Sequence, residues 1–234
     1  MKKLNLIALL VAGALLTPTF SSLAAGLEGT EGVDNKDATS TGHITLGLDE
    51  DGNEGGDTED PTDPILPVDP DEEDGEDEDG DTGNTGALRI DWVTPFEFGS
   101  HELSSGTQIY TLERNENPFV QVSDFRGTGQ GWVLQVKASE FINDENKVLK
   151  GAELSLPAGT VSPYGENQSI KPESKAVVLS NELAEIMVAT QDGGMGTWAN
   201  EFDKESVTLT VPSGNYAGDY QAEITWTLTD AILN

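Results

Sequence analysis

The sequence contains no cysteine, which removes disulfide staples, thiol nucleophiles and thiolate metal ligands together. Histidine is nearly as scarce, since His43 and His101 are the only two in 234 residues. A histidine-rich zinc site or a His-Glu-x-x-His helix cannot be assembled from that supply. A serine triad would have to recruit His101, and no Gly-x-Ser-x-Gly elbow accompanies it. Glycan hydrolysis needs two carboxylates across a sugar, but among 43 acidic residues some pair meets that spacing by accident. The sequence therefore reads as a binding protein and not an enzyme. Cations are also few: 12 lysines and arginines leave a net charge of -31. Nucleic acid is excluded as a direct partner, because phosphate recognition needs clustered basic residues, and attachment to anionic lipid is weakened for the same reason.

Long apolar runs are missing beyond the N-terminus. Lys2 and Lys3 precede an apolar stretch from Leu4 to Leu16, followed by Pro18, Ser22 and Ala24. This pattern predicts a secretion signal over residues 1–24, cleaved after Ala24. The run is too short to span a bilayer and nothing later approaches the required length. The expected product is secreted and has no integral membrane anchor.

What is present is unevenly distributed. Residues 25–86 carry 22 acids against the single base Lys36, together with Pro61, Pro64, Pro67 and Pro70. Such a segment cannot bury enough apolar area to offset the entropy of ordering, which predicts a disordered, extended acidic spacer. Thr41-Gly-His-Ile-Thr-Leu-Gly-Leu48 interrupts it with one alternating stretch. Two readings stay open for residues 41–48, a short strand docked on the folded domain or a less acidic patch of spacer. Asp77, Asp79 and Asp81 alternate as calcium ligands would, yet this register places Thr82 and Leu88 where a hand-like loop needs glycine and glutamate. A diffuse solvated face is the preferred reading, with calcium the weaker one.

From residue 87 to residue 234 the composition becomes that of a folded domain. Short alternating segments fall at Leu88–Val93, Thr107–Leu112, Phe119–Val122, Gln130–Ala138, Ala152–Leu156, Ala176–Leu179, Ile186–Ala189, Ser206–Val211 and Gly218–Leu228. Turn-forming runs such as Arg126-Gly-Thr-Gly and Pro212-Ser-Gly-Asn separate them. The prediction is an all-β domain of two packed sheets, sandwich-like, with at most one helical turn at Asn181 to Glu185.

Two of these segments share a motif. Trp132-Val-Leu134 and Trp226-Thr-Leu228 each set tryptophan and leucine two residues apart, on one face of a strand. Trp132, Leu134, Val136 and Ala138 form one apolar stripe, and Tyr220, Ala222, Ile224, Trp226 and Leu228 form another. Each stripe is read as a core anchor, with direct ligand contact through an indole as the alternative. An enclosed indole N–H will need an acceptor. Trp92, Tyr164, Trp198 and Tyr216 are the other aromatics that could face a ligand. Trp198 follows the loop-like run Gly193-Gly-Met-Gly-Thr197.

With the secretion signal, the Thr-Gly-His-Ile-Thr-Leu stretch, the acidic Pro/Asp-rich segment, Leu88-Arg-Ile-Asp-Trp-Val93 leading to Phe96-Glu-Phe-Gly99, and the paired motifs in this order, the chain resembles the WxL-domain family of Gram-positive surface proteins. The family signature falls on Trp132, Leu134, Trp226 and Leu228. The resemblance implies noncovalent attachment to the cell wall through peptidoglycan, alongside other cell-surface proteins. No Leu-Pro-x-Thr-Gly sorting signal or C-terminal apolar helix offers another means of retention. A protein-interaction module that reaches the wall only through a partner is the alternative.

Overall fold

The computed structural model describes residues 36–47 and 80–230. The predicted secretion signal lies outside the described residues, as do Asp77 and Asp79. The strands in chain order are β1 Asp37–Gly47, β2 Leu88–Val93, β3 Phe96–Glu102, β4 Gln108–Thr111, β5 Phe119–Asp124, β6 Trp132–Ala138, β7 Ile142–Asn143 and β8 Glu153–Leu156. They continue with β9 Thr160–Pro163, β10 Glu173–Ser174, β11 Val177–Val178, β12 Ala184–Ala189, β13 Gly196–Glu201, β14 Thr208–Val211 and β15 Gly218–Asp230. No helix occurs among the described residues. The stretch from Asn181 bends and enters β12 directly.

These strands form three sheets, not the two expected. The first is seven-stranded, β10-β12-β6-β15-β1-β3, with β7 pairing to β15 beside this path. The second is β11-β8-β14-β4 and the third is β2-β5-β13-β9. The third sheet was hard to see because β9 contains Pro163 and β13 begins inside the glycine-rich run. As an edge strand, β9 tolerates a residue that cannot donate a ladder hydrogen bond. One contiguous core joins the sheets: Ile44, Trp132 and Trp226 come from the first, Leu154 and Leu209 from the second, and Ile90, Val120 and Trp198 from the third.

The strand from the acidic segment is integral to this arrangement. β1 pairs antiparallel with β15 from Asp37↔Thr227 to Leu46↔Gly218, and parallel with β3 from Gly42↔Phe96 onward. Its burial alternates residue by residue, turning Ala38, Ile44 and Leu46 into the core. Docking, one of the two readings left open, is what the structure has. Residues 80–86 also pack on the domain: Val93 N–H donates to Gly80 O at 2.8 Å, and Thr82 N–H to Asp91 O at 3.1 Å. The folded unit thus extends N-terminal of residue 87.

Polar contacts fix β1 from both sides. His43 Nδ1 bonds Glu97 Oε2 on β3 at 2.8 Å, and Nε2 bonds Asp219 on β15. The Glu97 hydrogen bond raises His43 most, against the opposing effect of burial, and with the negative charges of Glu97 and Asp219 it lifts the imidazole from 6.5 to about 9. At neutral pH the ring is an imidazolium held between two carboxylates. At the end of the same strand pair, Asp230 receives Lys36 Nζ at 3.4 Å and the Arg126 guanidinium. Arg126 is itself bidentate on the buried Asp124, at 2.9 and 2.8 Å, and so ties the first sheet to the third.

Two outcomes are expected. Ile44 is fully buried, so Ile44→Ala should cost about 2–5 kcal/mol in urea denaturation, and a chain begun at residue 87 should lose more than that single substitution. For His43, a folded value above the unfolded one means stability that is complete below 6.5 and disappears as pH rises through about 9. The melting temperature should fall across that window, and His43→Gln should flatten the fall.

Candidate functional site

The motif strands lie side by side. β6 and β15 are antiparallel, with Leu134 opposite Leu228, Trp226 opposite Val136 and Trp132 opposite Asp230. The leucines are therefore cross-strand partners, and the tryptophans flank them in opposite directions along the same face. All four side chains are at most 1% exposed. Each indole N–H has its acceptor: Trp132 Nε1 donates to Gly194 O and Trp226 Nε1 to Ser40 Oγ, both at 3.0 Å. Gly194 is required there, since a Cβ would come within 2.5 Å of Trp132 Nε1 and its φ is +71°. Ser40 belongs to β1, so the distal tryptophan is satisfied by the docked strand.

The other four aromatics separate into different environments. Trp198 does not sit in an exposed loop; it is at the middle of β13, 2% exposed, faces the common core and donates to Met195 O. Tyr216 is exposed in the loop before β15, with Lys147 Nζ 5.7 Å from its ring centroid. Trp92 and Tyr164 reach the same side of the third sheet, the face turned away from the core. This face is identified by alternation: Val120, Val122 and Trp198 enter the main core, so Phe119, Gln121 and Ser123 of β5 and Thr197 and Ala199 of β13 point to the other side, where they too are buried. Trp92, Phe119 and Ala199 form a separate apolar cluster, with Trp92 and Phe119 stacked at 5.4 Å.

Beside that stack lies a polar network. Arg89 Nε donates to Asp91 Oδ1 at 2.7 Å, while Ser123 Oγ at 2.7 Å and Gln121 Nε2 at 3.3 Å donate to Asp91 Oδ2. Ser123 and Thr197 hydroxyls are 2.7 Å apart. Burial pushes the Asp91 carboxyl upward, and the Ser123 hydroxyl, the Arg89 charge and the Gln121 amide oppose it. Phe125 and Tyr164 mark the rim, with 49% and 44% exposure. The Arg89 guanidinium carbon lies 5.3 Å from the Phe125 centroid, and Tyr164 N–H donates to Thr197 O. Gly80 lies against the indole of Trp92, where a Cβ would fall 2.5 Å from the ring. The network and the Trp92–Phe119 stack are themselves buried, so what this side presents to a ligand is the pair of rim rings, Phe125 and Tyr164, and exposed aromatic planes suit the flat apolar faces of neutral, hydroxyl- and amide-bearing ligands. Sequence reading named Trp92 and Tyr164 but missed Phe119, Gln121, Ser123, Phe125 and Thr197. The missing signal was the β5–β13 pairing, which gives Phe119–Asp124 two covered faces.

Among the described residues no group of three or more His, Asp or Glu side chains is placed to hold a metal ion. Asp81, the described member of the calcium-like run, pairs with Trp92 in an isolated β-bridge, and its carboxylate accepts from Gly83 N–H at 2.9 Å. No helix among the described residues is long and apolar enough to cross a membrane.

Because both motif indoles are enclosed and hydrogen-bonded, Trp132→Ala and Trp226→Ala should each lower stability by about 3–5 kcal/mol in chemical denaturation. Ser40→Ala should cost about 1–3 kcal/mol by leaving the Trp226 N–H buried without an acceptor.

Comparison with curated proteins and comparison with solved structures each returned no match. A family model does match: WxL domain surface cell wall-binding, over residues 33–231. The match begins just before β1 and ends just after β15, taking in the docked strand as well as both motif strands. With the paired Trp-x-Leu strands at the centre of its largest sheet, the chain belongs to the WxL family of surface cell-wall-binding proteins of Gram-positive bacteria, and is thereby secreted to the cell surface.

Proposed function

We propose that the protein is held noncovalently at the cell wall through peptidoglycan, as a component of a surface protein complex, and that the exposed rings at the rim of the third sheet, Phe125 and Tyr164, make the contact. Family membership supports wall binding. The observation that carries the choice of face is the exposure of the Phe125 and Tyr164 rings at the edge of a buried hydrogen-bonded network of Arg89, Asp91, Gln121 and Ser123, which fixes the sheet that carries them. Peptidoglycan offers sugar faces for stacking and amides for hydrogen bonding, so this chemistry fits it better than a set of salt bridges would. The motif tryptophans then act indirectly, by holding the sheets in place. Tyr216, with its neighbour Lys147, provides a separate exposed ring outside this face.

Charge argues for short-range contact. The segment from residue 87 onward carries 21 acids and 9 bases, and a wall bearing anionic polymers repels it at long range. Salt screens that repulsion along with any helpful ion pair.

Sedimentation with sacculi stripped of protein and teichoic acid tests the reading. Binding should persist from about 0.05 to 0.5 M salt. Combined Phe125→Ala and Tyr164→Ala substitution should weaken it by about tenfold or more, roughly 1.4 kcal/mol, with each single variant's stability within about 0.5 kcal/mol of the parent. Full binding by the double variant would remove this face from the contact. Binding that appears only when an extracted surface protein is restored would move the attachment to a partner.

A further inference from the structure

The strand β1 fills a slot whose two walls, β15 and β3, both belong to the chain beyond residue 80. Between Gly47 and Gly80 the sequence places 32 residues. Contacts between strand and slot are the same whichever copy supplies the strand: the register with β15, the Ser40 acceptor for Trp226, the His43 bonds to Glu97 and Asp219, and the Asn84 Nδ2 bond to Asp37 O. A chain's own strand is favoured solely by its tethering. A tether of 32 residues supplies an effective concentration of order 1 mM, and closure entropy changes slowly with its length.

We propose that β1 of one copy enters the slot between β3 and β15 of a second copy, so that copies of this protein join by strand exchange. A donor leaves its own slot open for another strand. Reciprocal exchange closes a pair, and one-way exchange extends a row. This inference is independent of the wall-contact face, because the slot lies in the first sheet and the proposed contact in the third.

A chain without cysteine allows a direct test by engineered cross-linking. Leu228 N–H donates to Lys36 O, so this pair is a hydrogen-bonded one. Five positions along, the partners Thr41 and Glu223 are of the non-hydrogen-bonded kind, with Cα atoms about 4.5 Å apart, within disulfide reach. Thr41 Oγ1 is buried without a partner and Glu223 is exposed, so both sites accept the change.

Full chains carrying Thr41→Cys and full chains carrying Glu223→Cys are mixed, unfolded, refolded together and oxidised with glutathione disulfide. Interchain product should rise between about 10 μM and 1 mM. At the upper end it should exceed by about tenfold the product from Thr41→Cys mixed with Thr229→Cys, an out-of-register control for collision. A chain carrying both Thr41→Cys and Glu223→Cys, oxidised when dilute, should stay monomeric by light scattering at concentrations where the parent associates. It also reports that both substitutions fold. Equal yields from matched and mismatched pairs, or equal association of locked and parent chains, would overturn the proposal.

Discussion

The antiparallel pairing of β6 with β15 is the contact on which the rest of the molecule depends. It places Leu134 and Leu228 opposite each other and sends one tryptophan to each side along a single face. Two large rings then reach different parts of the interior. Trp132 fixes the glycine-rich connection ahead of β13 through Gly194, and Trp226 fixes β1 through Ser40. The repeated motif is thus a two-sided clamp. One end orders the third sheet and the other captures the strand that arrives from the acidic segment. Each indole is valuable for its apolar bulk, and its single N–H selects which piece of backbone or side chain is held.

The third sheet divides its residues sharply by side. Ile90, Val120, Val122 and Trp198 complete the shared core, while the opposite side carries rings and a charge-assisted network centred on Asp91. A buried carboxylate is tolerable because three donors converge on it from β2 and β5. The network is buried and rigid, since its polar groups are committed to one another. It gives the exposed rings of Phe125 and Tyr164 at its edge a fixed support.

Alternation made the longest strands legible. β6 and β15 follow the apolar and polar period closely, and the same stripes appear in the sequence as in the core. β2 coincides with its expected bounds. The strands that escaped notice each break the period for a physical reason. β3 contains Gly99 in a left-handed conformation, β9 ends in proline, β13 starts on Gly196, and β7 and β10 are two residues long. The count of sheets followed from those omissions. Trp198 illustrates the limit well: its neighbours in sequence describe a loop, and its neighbours in space make it a core residue. The side of the third sheet turned from the main core suffered similarly, because it is built from strands paired across 74 residues, as between the buried Ser123 and Thr197.

β1 and β15 are antiparallel neighbours, so Lys36 and Asp230 meet at one end of the pair. Tension applied between those two points loads the ladder one hydrogen bond at a time, beginning with Leu228 to Lys36, and opens it like a zip. Tension applied instead at Gly47, the opposite end of β1, and at Asp230 pulls the strands past each other and loads many bonds together. The same strand pair therefore offers two mechanical strengths. Which one is felt depends on the side of β1 from which the pull arrives, so the direction of load at the cell surface becomes part of what the fold can resist.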